Sequence, residues 1–267
     1  VNIFSNIVSA IILVFLVLEM EIIGAFYALA INQIFSLLIN VIFFFIYKPF
    51  EITWVFKKFI YDNLKKLSSF SIMAVIGPTC LIISTFIVRD FIFAEFGSDY
   101  AGSWEAMWRI SAIYLLFLIT TFKFYLIPTF SKLNDSDLKN EVFKIWKIVI
   151  PIIIIITAGV YITKDLIINI LLSEEFMLIN VIIFFHLLGD IIKINCWVLG
   201  NIMISKADTK SFIFFQIEWS VIFVLLTYLC VGKYGFVGVS ISYFITYIIH
   251  FSLLNLYFRK LLWINED

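Results

Sequence analysis

Eight long apolar stretches follow one another along this chain with only short polar segments between them. A helix needs roughly 20 apolar residues to cross a hydrocarbon core about 30 Å thick. The stretches are Ile3–Leu18, Ile22–Tyr47, Phe70–Ile87, Trp104–Ile127, Ile148–Tyr161, Met177–Ser205, Phe212–Val231 and Phe236–Phe258. We therefore predict an all-α integral membrane protein with eight transmembrane helices, of which the fifth, Ile148–Tyr161, is the shortest.

The composition supports a membrane protein, and the motifs that catalysis commonly requires are missing from the sequence. Hydrophobic residues make up 63% of the chain and charged residues 14%, whereas soluble domains are about half apolar and a quarter charged. The mean hydropathy is +1.07. The net charge is zero, which predicts no nucleic-acid partner. Because the sequence holds neither a phosphate-binding glycine loop nor a metal-ligand spacing, we predict no enzymatic activity, no cofactor and no metal.

The loops between the apolar stretches alternate between lysine-rich and acid-rich. Lysine and arginine in short loops mark the cytoplasmic side of a membrane protein. The lysine-rich loops carry Lys48, Lys57, Lys58, Lys65, Lys66, Lys132, Lys139, Lys144, Lys147, Lys206, Lys210, Arg259 and Lys260. This alternation predicts an inner-membrane protein with both ends of the chain in the cytoplasm.

One segment between two apolar stretches is neither a span nor a simple loop. In Phe50–Leu67, apolar residues recur at helical spacing, with lysines and acids between them. This pattern predicts an amphipathic helix that lies in the cytoplasmic interface and separates two spans from six.

The sixth span carries the largest set of polar residues at membrane depth. His186, Asp190, Lys193, Trp197 and Asn201 follow one another at spacings of four, three, four and four, so they share one helical face. One interpretation is an ion pair between Asp190 and Lys193 that neutralises itself inside the bundle. In the other, the face lines a watery path, where Lys193 meets an anion and Asp190 or His186 exchanges a proton.

The fourth span carries two cations at different depths. Arg109 lies one turn from one end of the span and Lys123 one turn from the other. Both side chains have the length to reach the headgroups, and Glu105 is placed to pair with Arg109. Alternatively, both cations face a cavity and bind a phosphate ester, which guanidinium and ammonium groups bind strongly.

Polar residues also occur in the last two spans. Glu218 lies one or two turns into the seventh span, where it is a candidate for pairing or ion coupling. Tyr243, Tyr247 and His250 share one face of the eighth span, a pattern more typical of packing than of sugar binding.

Three segments resemble a known family. Leu187–Ala207 (LLGDIIKINCWVLGNIMISKA), Phe124–Leu133 (FYLIPTFSKL) and Tyr234–Leu253 (YGFVGVSISYFITYIIHFSL) are similar to segments of the bacterial lipid-linked oligosaccharide flippases. These are the Wzx-type translocases of O-antigen and enterobacterial common antigen, in the polysaccharide transporter branch of the MATE-like (MOP) exporter superfamily. The first of these segments is the most specific.

The resemblance implies a two-lobed fold. It assigns residues 1–47 to the last two helices of a first lobe and 48–68 to the cytoplasmic linker between the lobes. Residues 69–260 become a complete six-helix second lobe, and 261–267 a cytoplasmic tail. Since family members have two lobes of equal helix number, we expect either a piece of a longer protein or a truncated gene.

The resemblance also implies a function. Such a protein flips an undecaprenyl-diphosphate-linked repeat unit to the periplasmic leaflet by alternating access, with a polysaccharide polymerase and a chain-length regulator as possible partners. From their depth and face, we predict headgroup contacts at Arg109, Lys123, Lys193, Trp197 and Asn201. Asp190, His186 and Glu218 are predicted coupling or pairing groups. The alternatives are a cation-coupled small-molecule exporter of the same superfamily and a membrane scaffold subunit without transport activity.

Overall fold

The computed structural model describes residues 2–47 and 61–264, and every regular element in those ranges is a helix. The all-α prediction is therefore confirmed. Segment 48–60, which holds most of the predicted linker helix, and residues 265–267 of the predicted tail lie outside the described residues. The helices are α1 (Asn2–Tyr47), α2 (Tyr61–Phe96), α3 (Ser98–Phe130), α4 (Asp135–Ile162), α5 (Lys164–Leu171), α6 (Ile179–Ser205), α7 (Thr209–Tyr234), α8 (Val237–Tyr257) and α9 (Arg259–Leu262).

The first helix is broken near its middle. Glu21 has a non-helical backbone, with φ 52° and ψ −131°. A Cβ atom added at Gly24 would lie 1.9 Å from the carbonyl oxygen of Leu16, so the backbones on the two sides of the break are in close contact. A straight helix would separate these residues by about 12 Å along its axis. The chain therefore turns back at Glu21, between the two predicted spans Ile3–Leu18 and Ile22–Tyr47.

Seven of the described helices are long and apolar enough to cross a membrane, with α1 counted once. Counting the two arms of α1 separately would give the predicted eight, which stays a prediction. The chain divides into two compact units, residues 1–61 and 62–267. The division falls inside the predicted 48–68 linker, and α2 to α9 belong almost entirely to the second unit.

Helix α4, which contains the fifth predicted span, is longer than the apolar pattern predicts. The side chain of Asn134 accepts a hydrogen bond from the backbone N–H of Asp137 at 2.9 Å, so α4 begins at Asp135 rather than at Ile148. An asparagine before a helix caps its free N–H groups, and acidic residues favour its first turn. Hydropathy does not detect residues 135–147 as helical, because charged side chains alternate there with apolar ones. After Thr163 the chain continues helically as α5.

Helix α6 lies at the centre of the second unit. It packs against α3, α4, α7 and α8, most extensively against α8. In its most apolar stretch 61% of the residues are buried, against 50% or fewer in the other described spans. The polar face of α6 therefore meets other helices of the protein rather than the lipid.

The two kinds of loop in the second unit lie at opposite ends of the bundle. The ammonium group of Lys206, after α6, donates to the carbonyl oxygen of Leu133, after α3, at 2.7 Å, which joins two lysine-rich loops. At the other end, the ring of Tyr100 in the first turn of α3 lies 4.9 Å, between centroids, from the ring of Phe236 just before α8, which joins two of the other loops. Neighbouring helices of this unit thus run in opposite directions, as the alternating loops predict.

Candidate functional site

The central feature of the second unit is the carboxylate of Asp190, which is completely buried in α6. One of its oxygens accepts hydrogen bonds from the hydroxyls of Ser111, at 2.7 Å, and Tyr114. The other accepts from the hydroxyl of Tyr243 at 2.7 Å and lies 3.6 Å from the ammonium nitrogen of Lys193. Buried charges are tolerated when they are paired and hydrogen-bonded, and both oxygens meet that requirement.

The ammonium group of Lys193 lies among aromatic rings. Its nitrogen is 5.0 Å from the ring centre of Trp108, 5.3 Å from that of Trp197 and 6.0 Å from that of Tyr247. It also donates to the hydroxyl of Tyr243 at 3.0 Å. Aromatic faces attract a cation most strongly where water is excluded, so these rings partly replace its hydration.

His186 belongs to the same cluster but makes no hydrogen bond within the described residues. Its ring stacks on that of Tyr243, with centroids 4.3 Å apart and an interplanar angle of 9°. Its Nε2 atom is 4.0 Å from a carboxylate oxygen of Asp190, too far for a hydrogen bond. His186 therefore contributes a packed ring to what we call the Asp190 cluster: Trp108, Ser111, Tyr114, His186, Asp190, Lys193, Trp197, Tyr243 and Tyr247.

A glycine allows the cluster to close. A Cβ atom at Gly189 would lie 2.4 Å from Cδ1 and 2.6 Å from Cε1 of Tyr243. The tyrosine ring consequently packs against the backbone of α6, which places its hydroxyl between Asp190 and Lys193.

The structure brings four of the predicted site residues together: His186, Asp190, Lys193 and Trp197. The proposed ion pair within α6 is present. Asn201 lies one turn beyond Trp197 and donates to its carbonyl oxygen at 2.7 Å.

The two predicted cations of α3 lie elsewhere. The side chain of Arg109 is 78% exposed and pairs with Glu105 at 3.0 Å, as one of the alternatives proposed. Lys123 is exposed on the same helix. The buried face of α3 instead carries Ser111 into the Asp190 cluster.

Sequence reasoning missed the contribution of α3 to the cluster. Trp108, Ser111 and Tyr114 follow one another at spacings of three, a pattern that places them on neighbouring positions of one helical face. That signal was available, but aromatic and hydroxyl residues at this spacing are also typical of ordinary helix packing.

A second acid–base pair joins α7 to α8. Oε2 of Glu218 lies 2.6 Å from Nδ1 of His250, and both side chains are about nine-tenths buried. The other oxygen of Glu218 has no hydrogen-bond partner among the described residues. The predicted Tyr243–Tyr247–His250 face of α8 thus contacts both polar sites, Asp190 through Tyr243 and Glu218 through His250.

The chemistry available in these sites is electrostatic. Each site holds a carboxylate beside a basic group in a protein-lined, apolar environment, where a change of charge strongly alters the interaction between helices. Within residues 2–47 and 61–264, no group of three or more histidine, cysteine or acidic side chains is arranged to hold a metal ion.

Comparison with known proteins shows similarity of sequence to one group and of fold to another. The chain is 30% identical over 189 residues to the lipid III flippases of Escherichia coli (strain K12) and Shigella flexneri. That match covers 70% of this chain but 45% of each flippase, so the chain spans less than half of their length.

Solved structures of MATE proteins share the fold. The crystal structure of MATE in complex with MaL6 matches with a TM-score of 0.73 at 12% identity, over 97% of this chain and 62% of that one. MATE in the bent conformation matches with a TM-score of 0.70 at 13% identity, over 97% of this chain and 61% of that one. The predicted MATE-like architecture is confirmed. Because a family model described as polysaccharide biosynthesis protein matches residues 1–180, the chain belongs to the polysaccharide biosynthesis protein family.

Proposed function

We propose that the protein takes part in flipping an undecaprenyl-diphosphate-linked oligosaccharide, an O-antigen or common-antigen repeat unit, from the cytoplasmic to the periplasmic leaflet. The observation that carries this proposal is the identity of 30% over 189 residues to proteins named lipid III flippases. The MATE-like fold is that of a membrane protein with several apolar helices, which suits a transporter. We place the protein in the bacterial inner membrane with its C-terminus in the cytoplasm.

The physical task explains why a protein is needed. The charged diphosphate and the sugars cannot cross hydrocarbon at low cost, whereas the polyprenyl chain is as apolar as the lipid. A path lined by cations lowers the barrier for the headgroup while the chain stays in the bilayer. The inside-negative membrane potential adds about 2.3 kcal/mol per charge per 100 mV for an anion that moves outward.

We assign the direct contacts with the diphosphate to Arg109 and Lys123. Both are exposed on α3, and a separation of fourteen residues corresponds to about 21 Å along the helix. An anion that slides along this face would meet the two cations in turn. Glu105 balances part of the charge on Arg109, which would keep the phosphate from binding too tightly to leave.

The predicted headgroup contacts on α6, which are Lys193, Trp197 and Asn201, would form only after a change of conformation. In the described conformation the ammonium group of Lys193 is held by Asp190 and Tyr243, so a contact with the headgroup requires that it leave its aromatic surroundings. We propose that Asp190, with His186 beside it, and Glu218 are the groups through which a coupling ion acts. Neutralising either carboxylate would release the base it now pairs with.

A cation-coupled exporter is the main alternative on the same fold. An exporter of organic cations is expected to offer its cargo unpaired acids. Asp190 and Glu218 each have a basic partner within 4 Å, which favours the anionic passenger. The other alternative is a scaffold that serves a polysaccharide polymerase or a chain-length regulator. A transport experiment with the purified protein distinguishes it from a flippase.

The test is complementation of a strain that lacks its own flippase, using the complete gene that carries this sequence. We expect surface polysaccharide to return with the wild type and to fall below about a tenth in R109A/K123A, since each charged phosphate contact contributes about 1.5–3 kcal/mol. The matched control is K147A, which removes an exposed lysine of α4 and should rescue like the wild type.

Two results would overturn these assignments. Failure of the membrane-inserted wild type with every repeat unit tested would reject the flippase proposal, and full rescue by R109A/K123A would reject the contact residues. To separate flippase from scaffold, the purified protein alone should move a fluorescent lipid-linked oligosaccharide across proteoliposomes. Movement only when a polymerase is added would favour the scaffold.

A further inference from the structure

Three lysine-bearing segments of the second unit converge on one cavity of about 1030 Å³. Its walls are the beginning of α4, the end of α6 with the following loop, and the segment from the end of α8 to Ile264. Lys139, Lys206 and Lys260, one from each segment, line it. Ligand pockets have volumes of about 300–1,000 Å³, so this cavity has room for a complete lipid headgroup.

The cavity is amphipathic. Besides the three lysines, its lining includes the apolar side chains of Leu138, Ile202, Met203 and Leu261. It lies where the candidate spans α4, α6 and α8 begin or end, which is the level of lipid headgroups if those helices cross the bilayer. A ligand there would meet ammonium groups on one side and apolar side chains on the other.

Two carboxylates also line the cavity, and one of them is already engaged. Asp208 accepts from the hydroxyl of Tyr257 at 2.6 Å and from the backbone N–H of Ser211 at 3.2 Å. Partial burial alone would raise the pKa of Asp208, but these hydrogen bonds hold it below its ordinary value. The second carboxylate, Asp135, lies in the first turn of α4, where the helix dipole favours it.

A hydrogen bond within the protein positions the ammonium group of Lys206 before any ligand binds. Its ammonium group donates one hydrogen bond to the carbonyl oxygen of Leu133, and a lysine has three donors. The group is therefore held at the cavity wall with donors left for a ligand. Among the described residues that line the cavity, three side chains are cationic and two are anionic, and the cations Lys206 and Lys260 are the ones that the proposal uses.

We propose that this cavity binds the phosphate group of an anionic phospholipid from the surrounding bilayer, with its glycerol and first acyl carbons on the apolar wall. Phosphate forms strong charge-assisted hydrogen bonds with ammonium groups, and basic pockets between transmembrane helices on the cytoplasmic side bind anionic lipid headgroups. Binding here ties together the loops after α3, α6 and α8. The site is separate from the Asp190 cluster and does not depend on the flipping activity.

The experiment measures retention of short-chain phosphatidylglycerol by the purified full-length protein in neutral detergent, using native mass spectrometry. We compare K206Q/K260Q with the control K147Q/K210Q, whose two exposed lysines lie outside the cavity lining. Affinity should fall about fivefold for each cavity lysine removed and stay unchanged in the control. K260Q alone is included because Lys206 also holds the Leu133 carbonyl.

Competition identifies the source of the phosphate. Inorganic phosphate and geranylgeranyl diphosphate are each added at the concentration of the phosphatidylglycerol. The proposal requires that neither displaces it effectively. Displacement by inorganic phosphate would show a simple anion site, displacement by the prenyl diphosphate would assign the cavity to a prenyl diphosphate ligand, and equal retention by cavity and control variants would show that these lysines do not bind lipid. Each of these results would overturn the proposal.

Discussion

Two ion pairs of similar spacing along the chain lie in opposite environments. Lys193 and Asp190 are three residues apart on α6, with 8% and 0% of their side chains exposed. Arg109 and Glu105 are four residues apart on α3, with 78% and 36% exposed. The distance between the charged groups is shorter in the exposed pair, 3.0 Å against 3.6 Å, although its side chains are far less enclosed by the protein.

The comparison shows that distance alone does not measure what an ion pair does. The buried pair is surrounded by three hydroxyl donors and several aromatic rings. If one partner were removed, the charge of the other would stay buried without water to hydrate it. Removing one partner of such a pair costs about 3–5 kcal/mol, whereas exposed pairs contribute about 0–1 kcal/mol. The buried pair joins α3, α6 and α8, whereas the exposed pair leaves the cation of Arg109 accessible.

The largest expected effect comes from breaking the buried pair. Asp190→Asn keeps the shape of the side chain but leaves the charge of Lys193 uncompensated, so we expect a loss of about 3–5 kcal/mol in the free energy of unfolding. Denaturant titration of the purified protein in micelles measures it. The double variant D190N/K193M should recover part of the loss, because it removes both charges. Losses that simply add would contradict the pairing.

A smaller effect tests the packing that closes the cluster. Gly189→Ala places a methyl group against the ring of Tyr243, which must move away from Asp190 and Lys193. We expect a loss of about 1–3 kcal/mol in the free energy of unfolding, as for other overpacked sites.

Gly200→Ala is the matched control on the same helix, since nothing lies within 4 Å of the added atom. It should be neutral or stabilising by up to about 1 kcal/mol, because alanine favours helix. Equal losses in the two variants would mean that the close packing of Tyr243 against Gly189 does not contribute to the free energy of unfolding.

The smallest effect on stability is expected at the exposed pair. Arg109→Gln should change the free energy of unfolding by less than about 1 kcal/mol, because the Arg109 side chain does not pack into the protein. Under the proposed function, the same substitution lowers transport, measured as surface polysaccharide in the complemented strain. The neighbouring variant Glu105→Gln controls for loss of the pair. Strong destabilisation by either variant would erase the contrast between the two ion pairs.

The predictions from sequence were most accurate where one physical variable decided the outcome. The cores of the predicted spans from Phe70 onward are helical, because length and hydropathy fix a membrane helix. The predicted span Ile148–Tyr161 lies inside α4 but does not include its first thirteen residues, because a cap at Asn134 rather than hydropathy determines where that helix begins.

The candidate site was predictable only in part. The shared face of His186, Asp190 and Lys193 follows from helical spacing within one element, and so does the possibility of an ion pair. Spacing carries no information about which other helix lies opposite. The hydroxyl donors Ser111 and Tyr114 were therefore missed, and Tyr243 was recognised only as part of a face of α8.

By itself, the sequence determined the helical class, the alternation of the loops and the faces on which costly charges lie, since each follows from local composition and helix geometry. Only the tertiary structure decided which charges are sheltered and which are exposed, because burial depends on how α3, α6 and α8 are rotated against one another. Gly189 illustrates the reason. Because it has no side chain, Tyr243 of α8 reaches Asp190 of α6, and the sequence of either helix by itself does not predict that contact.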